Sequence, residues 1–435
     1  METLYRSTRE TASHTMTSSQ AVLQGLTPDG GLFVPVELPQ ANFDFDHLAT
    51  LSYQEVAYEV LKLFFTDYTA DELHACIDAA YGDQFDDPAI APVRKHGEQY
   101  YLELFHGPTI AFKDLALQIL PHLMTTAAKK NQLASEVVIL TATSGDTGKA
   151  AMAGFADVPQ TKIIVFYPKN GVSAIQKQQM VTQVGANTAV VALNGNFDEA
   201  QTTVKELLND PALRAELATH QLQFSSANSI NIGRLFPQVA YYVYTYAQLI
   251  KQGRIHNGDQ VNFSVPTGNF GDILAGYYAK QLGTPIHKLI CASNRNNVLT
   301  DFFNTGTYDK NREFFLTSSP SMDILVSSNL ERLVFYLTGA DPVATAQLMT
   351  SLKTDGRYTL SATMRANIKD FWAGFVTENQ DQDAIAHVYA AHHYTIDPHT
   401  AVAAAVAKQY QAATKDNRPM VIVSTASPYK FTKAV

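Results

Sequence analysis

Val137-Val138-Ile139-Leu140-Thr141-Ala142-Thr143-Ser144-Gly145-Asp146-Thr147-Gly148-Lys149 runs an apolar, β-branched stretch into a loop of hydroxyls and glycines. The first four residues predict a short buried strand. The loop falls where a helix is expected to begin. Free N–H groups and the helix dipole favour an anion there. A Walker A loop would need glycine five places before the Gly148-Lys149 pair, and Thr143 holds that place. An ordinary capped turn uses the same residue types.

The pattern recurs along the chain. Ile163 to Phe166, Val190 to Leu193, Val261 to Val265, Leu289 to Ala292 and Met420 to Val423 are further short apolar runs. Helical spacing separates them, as at Asp198 to Leu208 and Ile273 to Leu282. Such alternation predicts an α/β fold with mostly parallel, buried strands. The first part differs. Thr27 to Gly31 reads as a turn before Leu32-Phe33-Val34, and Ser52 to Phe65 and Asp71 to Ala80 read as helices. Three parts are expected: a helical and turn-rich region over 1–95, and two α/β lobes over 96–250 and 251–435.

Composition narrows the classes. A chain of 435 residues, 46% hydrophobic and 17% charged, can bury a large core in more than one lobe. Its net charge of -9 and lack of a basic run argue against a nucleic-acid surface. Two cysteines, Cys76 and Cys291, rule out a disulfide framework or a cysteine zinc site. His392, His393 and His399 show no metal-ligand spacing. Met1 to Arg6 lacks a signal-peptide core, and no run reaches the roughly 18 apolar residues of a membrane helix. A soluble, cytoplasmic protein without a membrane partner is expected.

In parallel sheets ligands bind beyond the carboxyl ends of strands, so the loops there carry the chemistry. Pro266-Thr267-Gly268-Asn269-Phe270-Gly271-Asp272 brackets a helix start with glycines, a setting for backbone N–H groups around a phosphate. Ser424-Thr425-Ala426-Ser427-Pro428-Tyr429-Lys430 offers hydroxyls, which can bond a heterocyclic nitrogen without keeping it protonated. Asn228-Ser229-Ile230-Asn231-Ile232-Gly233-Arg234 sets a hydroxyl near an arginine, the residue that grips phosphate bidentately. Ser318 to Ile324 is a turn before a helix and is given no chemistry. His106-Gly107-Pro108-Thr109-Ile110-Ala111-Phe112-Lys113-Asp114 places one lysine in an apolar, turn-bounded setting. Desolvation lowers a lysine's pKa and yields a nucleophilic amine, able to form a Schiff base. His106 is read as a loop-fixing hydrogen bonder ahead of a catalytic base.

The order and spacing of these motifs resemble threonine synthase of the longer bacterial and fungal type. The likeness spans Ser7-Thr8-Arg9, Thr27 to Pro35, His106 to Gln118, Thr143 to Ala150, Asn228 to Arg234, Pro266 to Asp272, Ser319 to Ile324 and Ser424 to Phe431. It implies the tryptophan-synthase-β-like fold (fold type II) and pyridoxal 5'-phosphate as cofactor. By position, Lys113 matches the lysine carrying the cofactor. Gly268, Asn269, Phe270, Gly271 and Asp272 match the loop around its phosphate, and Thr425 the hydroxyl at the ring nitrogen. Asp146, with Thr143, Ser144 and Thr147, matches the loop at the ring edge and the substrate carboxylate. Ser229 and Arg234 resemble receivers of the substrate phosphate. Many relatives carry asparagine where Asp146 stands, so its carboxylate is expected to turn away or share a proton.

The resemblance implies conversion of O-phospho-L-homoserine and water to L-threonine and phosphate, by a monomer or homodimer whose lobes close on the substrate. A phospholyase, a serine or threonine dehydratase, and an inactive binding protein of the same fold are the alternatives. Phe431 to Val435 reads as the start of a helix that the chain does not continue.

Overall fold

A computed structural model describes every residue but 1, 13, 144, 170, 171, 173 and 196, and the backbone alone at 197, 198, 201, 202, 205 and 209. Among the described residues two main sheets organise the chain. The larger has six strands, in the spatial order Phe371–Phe375, Ile286–Ser293, Val261–Pro266, Met420–Ser424, Gln99–Glu103, Val93–His96. Its pairings are parallel except for the hairpin of the last two strands. The smaller sheet runs Thr188–Leu193, Thr161–Pro168, Glu136–Ala142, Leu222–Ser225, parallel throughout.

Period-two alternation splits the large sheet's residues between two cores. Leu289, Cys291, Val421 and Val423 join the main apolar cluster. Their neighbours Ile290, Ala292, Met420 and Ile422 face a second cluster built with Ala403, Val406 and Ala407 of the helix Pro398–Thr414. Both faces are therefore covered, which is why Val261–Pro266 is buried along its whole length. Burial of each large apolar side chain contributes about 1.5–3 kcal/mol before entropy is counted.

The six apolar runs recognised in the sequence each lie inside an observed strand. The helix Tyr53–Phe64 begins on a capping box, in which Ser52 accepts from Glu55 N–H and Glu55 accepts from Ser52 N–H at 2.7 Å. Its residues Val56, Val60 and Phe64 are buried. Phe64 stacks on Phe236 at 4.0 Å, fixing this region to the long helix Pro237–Lys251. The strands Tyr5–Ser7 and Phe33–Pro35 pair antiparallel. They are held to the rest of the chain by Glu331, which accepts from the Thr8 hydroxyl at 2.6 Å and from Arg9 at 2.7 and 2.6 Å.

The sheets run across the expected parts of the chain, and the expected helix at Phe431 needs correction. The division at 95/96 cuts the hairpin Val93–His96/Gln99–Glu103, whose second strand pairs with Met420–Ser424 in the large sheet. The chain thus enters the large sheet, leaves to build the small one, and returns, so contiguous segments do not follow the sheets. Nor does a helix start at Phe431. Pro428–Phe431 is a single 3-10 turn, with Ser427 accepting from Tyr429 N–H at its entry. Among the described residues no helix is long and apolar enough to cross a membrane.

Candidate active site

Parallel strands place their following loops at one end. Gln99–Glu103, Met420–Ser424 and Val261–Pro266 are mutually parallel neighbours, so the segments 104–113, 425–430 and 267–272 share one rim. In the small sheet Glu136–Ala142 and Leu222–Ser225 do the same for the segments 143–147 and 226–234. The two rims meet: Lys430 of the large sheet's rim pairs with Asp146 of the small sheet's rim at 2.9 Å.

Lys113 opens the short helix Lys113–Leu117. The approach to it is fixed by backbone bonds, from Phe112 N–H to Thr425 O at 2.7 Å and from Leu104 N–H to Ser424 O at 2.9 Å. Its ammonium lies 4.9 Å from the Phe112 ring centroid. Desolvation brings its pKa down to about 8, with Asp146 opposing and Lys430 and Arg234 assisting. A usable fraction of free amine therefore exists near neutral pH.

The segment Gly268–Asp272 meets the helix Gly271–Gln281 at its N-terminus, where no side chain caps the first turn. Phe270 stands there at φ +68°, left-handed and buried. The turn is shaped from outside. A Cβ on Gly268 would sit 2.8 Å from Ser321 O, the Ser327 hydroxyl donates to Gly268 O at 2.7 Å, and Asn329 N–H donates to Asn269 O at 3.0 Å. Asn269 itself is exposed. Tyr241 and Tyr242 donate to one Asp272 oxygen at 2.6 and 2.8 Å, while the other has no partner among the described residues. Burial, partly offset by those tyrosines and Lys113, pushes Asp272 up to about 6.

In the facing loop, the Thr143 hydroxyl accepts from Gly145 and Gly148 N–H, both at 3.0 Å, which locks the turn into the helix Asp146–Phe155. Thr147 stands half-buried in that helix's first turn, and Ser144 lies outside the described residues. Burial alone would raise the Asp146 pKa. The Lys430 and Lys113 charges, with hydrogen bonds from Lys430 and Gln176, hold it well below the usual carboxylate range.

Arg234 is 4% exposed in the helix Ile232–Leu235. It donates to Ala227 O at 3.0 Å, yet its Nε has no partner and no carboxylate pairs with it among the described residues. Burial lowers its pKa to about 10, so it stays charged. Ser229 accepts from Asn329 at 3.3 Å, which ties this loop to the residues shaping Asn269. A buried guanidinium with no carboxylate among the described residues, beside a bare helix N-terminus and a desolvated lysine, is an arrangement for anions.

His106 sits outside this cluster. Asp86 and Glu103 take its two ring nitrogens, at 2.6 and 3.1 Å, so it ties the loop to the sheet. The segment around Ser319, given no chemistry from sequence, supports the Gly268 turn. Tyr241, Tyr242, Ser327, Asn329 and Lys430 went unassigned in the sequence.

Comparison with known proteins gives matches over nearly the whole chain. A family model described as "Threonine synthase N terminus" covers residues 4–81, and one described as "Pyridoxal-phosphate dependent enzyme" covers residues 89–426. A human protein, threonine synthase-like 1, is 41% identical over 96% of the chain, which spans 57% of that relative's length. Threonine synthase of Schizosaccharomyces pombe is 39% identical, with 99% of the chain and 88% of the relative covered. The crystal structure of PLP-bound threonine synthase from Brucella melitensis superposes with a TM-score of 0.90 at 38% identity, covering 99% of this chain and 90% of that one.

Proposed function

We propose, from the premise that this chain belongs to the threonine synthase family of pyridoxal-phosphate dependent enzymes, that it converts O-phospho-L-homoserine and water to L-threonine and phosphate. The observation that carries the reading is Lys113, an amine with its pKa near 8 on the rim that also holds the uncapped Gly271–Gln281 helix and faces Arg234, which has no carboxylate partner among the described residues. A cytoplasmic setting and a monomer or homodimer belong to the same proposal.

The residues fit the coenzyme. The open first turn at Gly268, Asn269, Phe270 and Gly271 suits its phosphate, and Asp272 lies beneath that turn. Lys113 would hold its aldehyde carbon and the Thr425 hydroxyl its ring nitrogen. When bound, pyridoxal phosphate supplies an electron sink that acidifies the protons at Cα and Cβ of an amino-acid substrate.

The remaining chemistry belongs to the chain. Lys113, once its nitrogen is free, takes the Cα proton and then the Cβ proton, whose electron pair expels the γ-phosphate, and it returns protons to Cγ and Cα later in the cycle. Ser229 and Arg234 hold the γ-phosphate and stabilise its charge as the Cγ–O bond breaks. Thr143, Ser144 and Thr147 orient the substrate carboxylate. Closure of the two rims keeps water out until phosphate has gone, after which one water adds at Cβ and Cγ becomes the methyl group.

The test is product identity. Purified protein given pyridoxal phosphate and O-phospho-L-homoserine is expected to release threonine and phosphate in equal amounts. Release of 2-oxobutyrate instead would identify a lyase that stops at elimination. Lys113→Ala is expected to lose turnover and the visible absorbance of bound coenzyme; an active, coloured variant would remove Lys113 from its role.

A further inference from the structure

Lys430 has no part in the mechanism above, yet it is 3% exposed and reaches the centre of the site. Its turn is held by Ser427 N–H to Ile110 O and Lys430 N–H to Ser427 O, both 3.1 Å, and by Phe431 against the His399 ring at 4.9 Å. From there its ammonium donates to Thr109 O at 2.9 Å and pairs with Asp146 at 2.9 Å. It joins the large sheet's rim, the loop entering Lys113 and the first turn of the helix Asp146–Phe155.

Three carboxylates act on Lys113, and each is held by other donors. Asp114, on the same helix, accepts from Thr109 N–H at 2.8 Å and the Thr109 hydroxyl at 2.6 Å. Asp272 accepts from Tyr241 and Tyr242. Asp146 accepts from Gln176 at 3.1 Å and, among the described residues, is paired with a full charge only by Lys430. The cations acting on Lys113 are Lys430 and Arg234. Among the described residues Lys113 has no carboxylate within salt-bridge distance.

We propose that Lys430 is a positioning residue for Lys113: by occupying Asp146 it prevents that carboxylate from pairing with the Lys113 ammonium, and so keeps the Lys113 amine free to react. A buried carboxylate stripped of its cation takes the nearest other one, because an uncompensated buried charge is costly. Here the other cation acting on Asp146 is Lys113. Without Lys430 the Lys113 proton is held more tightly and its titration moves to higher pH. Without Asp146 the opposite holds: Lys430 and Arg234 then act on Lys113 with less opposing charge, and its titration moves to lower pH. The inference rests on Lys113 being the coenzyme lysine for its meaning, but its test does not require the coenzyme.

The experiment measures Lys113 labelling by acetic anhydride against pH in the coenzyme-free full-length protein, read by peptide mass spectrometry. The wild-type midpoint is expected near 8. Lys430→Met should raise it by about one unit or more, an approximately tenfold slower labelling at pH 7. Lys430→Arg should stay near wild type. Asp146→Asn should lower the midpoint, and the double variant should return to the wild-type value or below. A Lys430→Met midpoint equal to wild type, or an Asp146→Asn midpoint moved upward, overturns the proposal. If Lys430→Met does not fold, Asp146→Asn decides alone, since an unchanged midpoint there also overturns it. A purely structural staple would lower the melting temperature and leave every midpoint in place. Borohydride reduction with pyridoxal phosphate, followed by peptide mapping, asks separately whether Lys113 is the coenzyme lysine.

Discussion

At the scale of single residues, charge placement explains most of the site. Arg234 is the clearest case, because a buried guanidinium with one nitrogen unpartnered is costly unless an anion completes it. Arg234→Ala is expected to lower kcat/KM for O-phospho-L-homoserine by about two orders of magnitude. Arg234→Lys should recover only part of the loss, since an ammonium lacks the planar fork. Binding of L-2-aminobutyrate, followed by the coenzyme's spectrum, should change by less than about threefold, because that amino acid brings no phosphate. Equal losses for both compounds would move Arg234 out of the phosphate role. The same scale explains Asp146. A carboxylate near an anionic substrate looks misplaced in the sequence, where nothing shows that Lys430, far along the chain, neutralises it.

At the scale of elements, the helices Lys113–Leu117 and Asp146–Phe155 approach each other closely at one glycine. A Cβ on Gly154 would lie 2.0 Å from Leu117 O, so the helix Asp146–Phe155 rests directly on the end of the lysine helix. Gly154→Ala must push them apart. A loss of about 3 kcal/mol in urea unfolding is expected, with weaker pyridoxal phosphate binding because Lys113 moves with its helix. Unchanged values on both counts would mean that the contact is slack. Which elements the sequence revealed follows from burial. Strands covered on both faces, such as Val261–Pro266, read as continuous apolar runs. Val93–His96, with Arg94 and Lys95 exposed, and Leu222–Ser225, with its Gln223, carry too few apolar residues to stand out. Phe371–Phe375 is an edge strand with no β-branched residue and a glycine at 374, so its apolar residues do not read as a strand. The loops at 143–147, 267–272 and 425–430 were legible because each follows a recognisable strand, whereas those at 104–113 and 226–234 were legible from their own lysine, glycine and arginine residues. Their supports, Tyr241 and Tyr242 on a helix and Asn329 at the entry of another, were not, because only the fold defines which sides face the loops.

At the scale of the whole molecule, distant segments converge on the rims. Glu331 anchors the N-terminal hairpin through Thr8 and Arg9, and the next residue, Arg332, donates to Phe33 O at 2.9 Å. Glu331→Ala is expected to destabilise the protein by about 2 kcal/mol and to open the segment 1–35 to thermolysin while the remainder resists. Uniform resistance would show that other contacts suffice to hold the hairpin. The larger sheet carries a further consequence. Its strand Met420–Ser424 lies between Val261–Pro266 and Gln99–Glu103, although it is synthesised after every other strand of that sheet. A nascent chain still threaded in the ribosome at that point holds two half-sheets with facing raw edges and no cleft between the rims. Translation must therefore deliver its final strand before catalysis can begin, and a polypeptide stalled shortly before residue 420 would be a sticky target for chaperones.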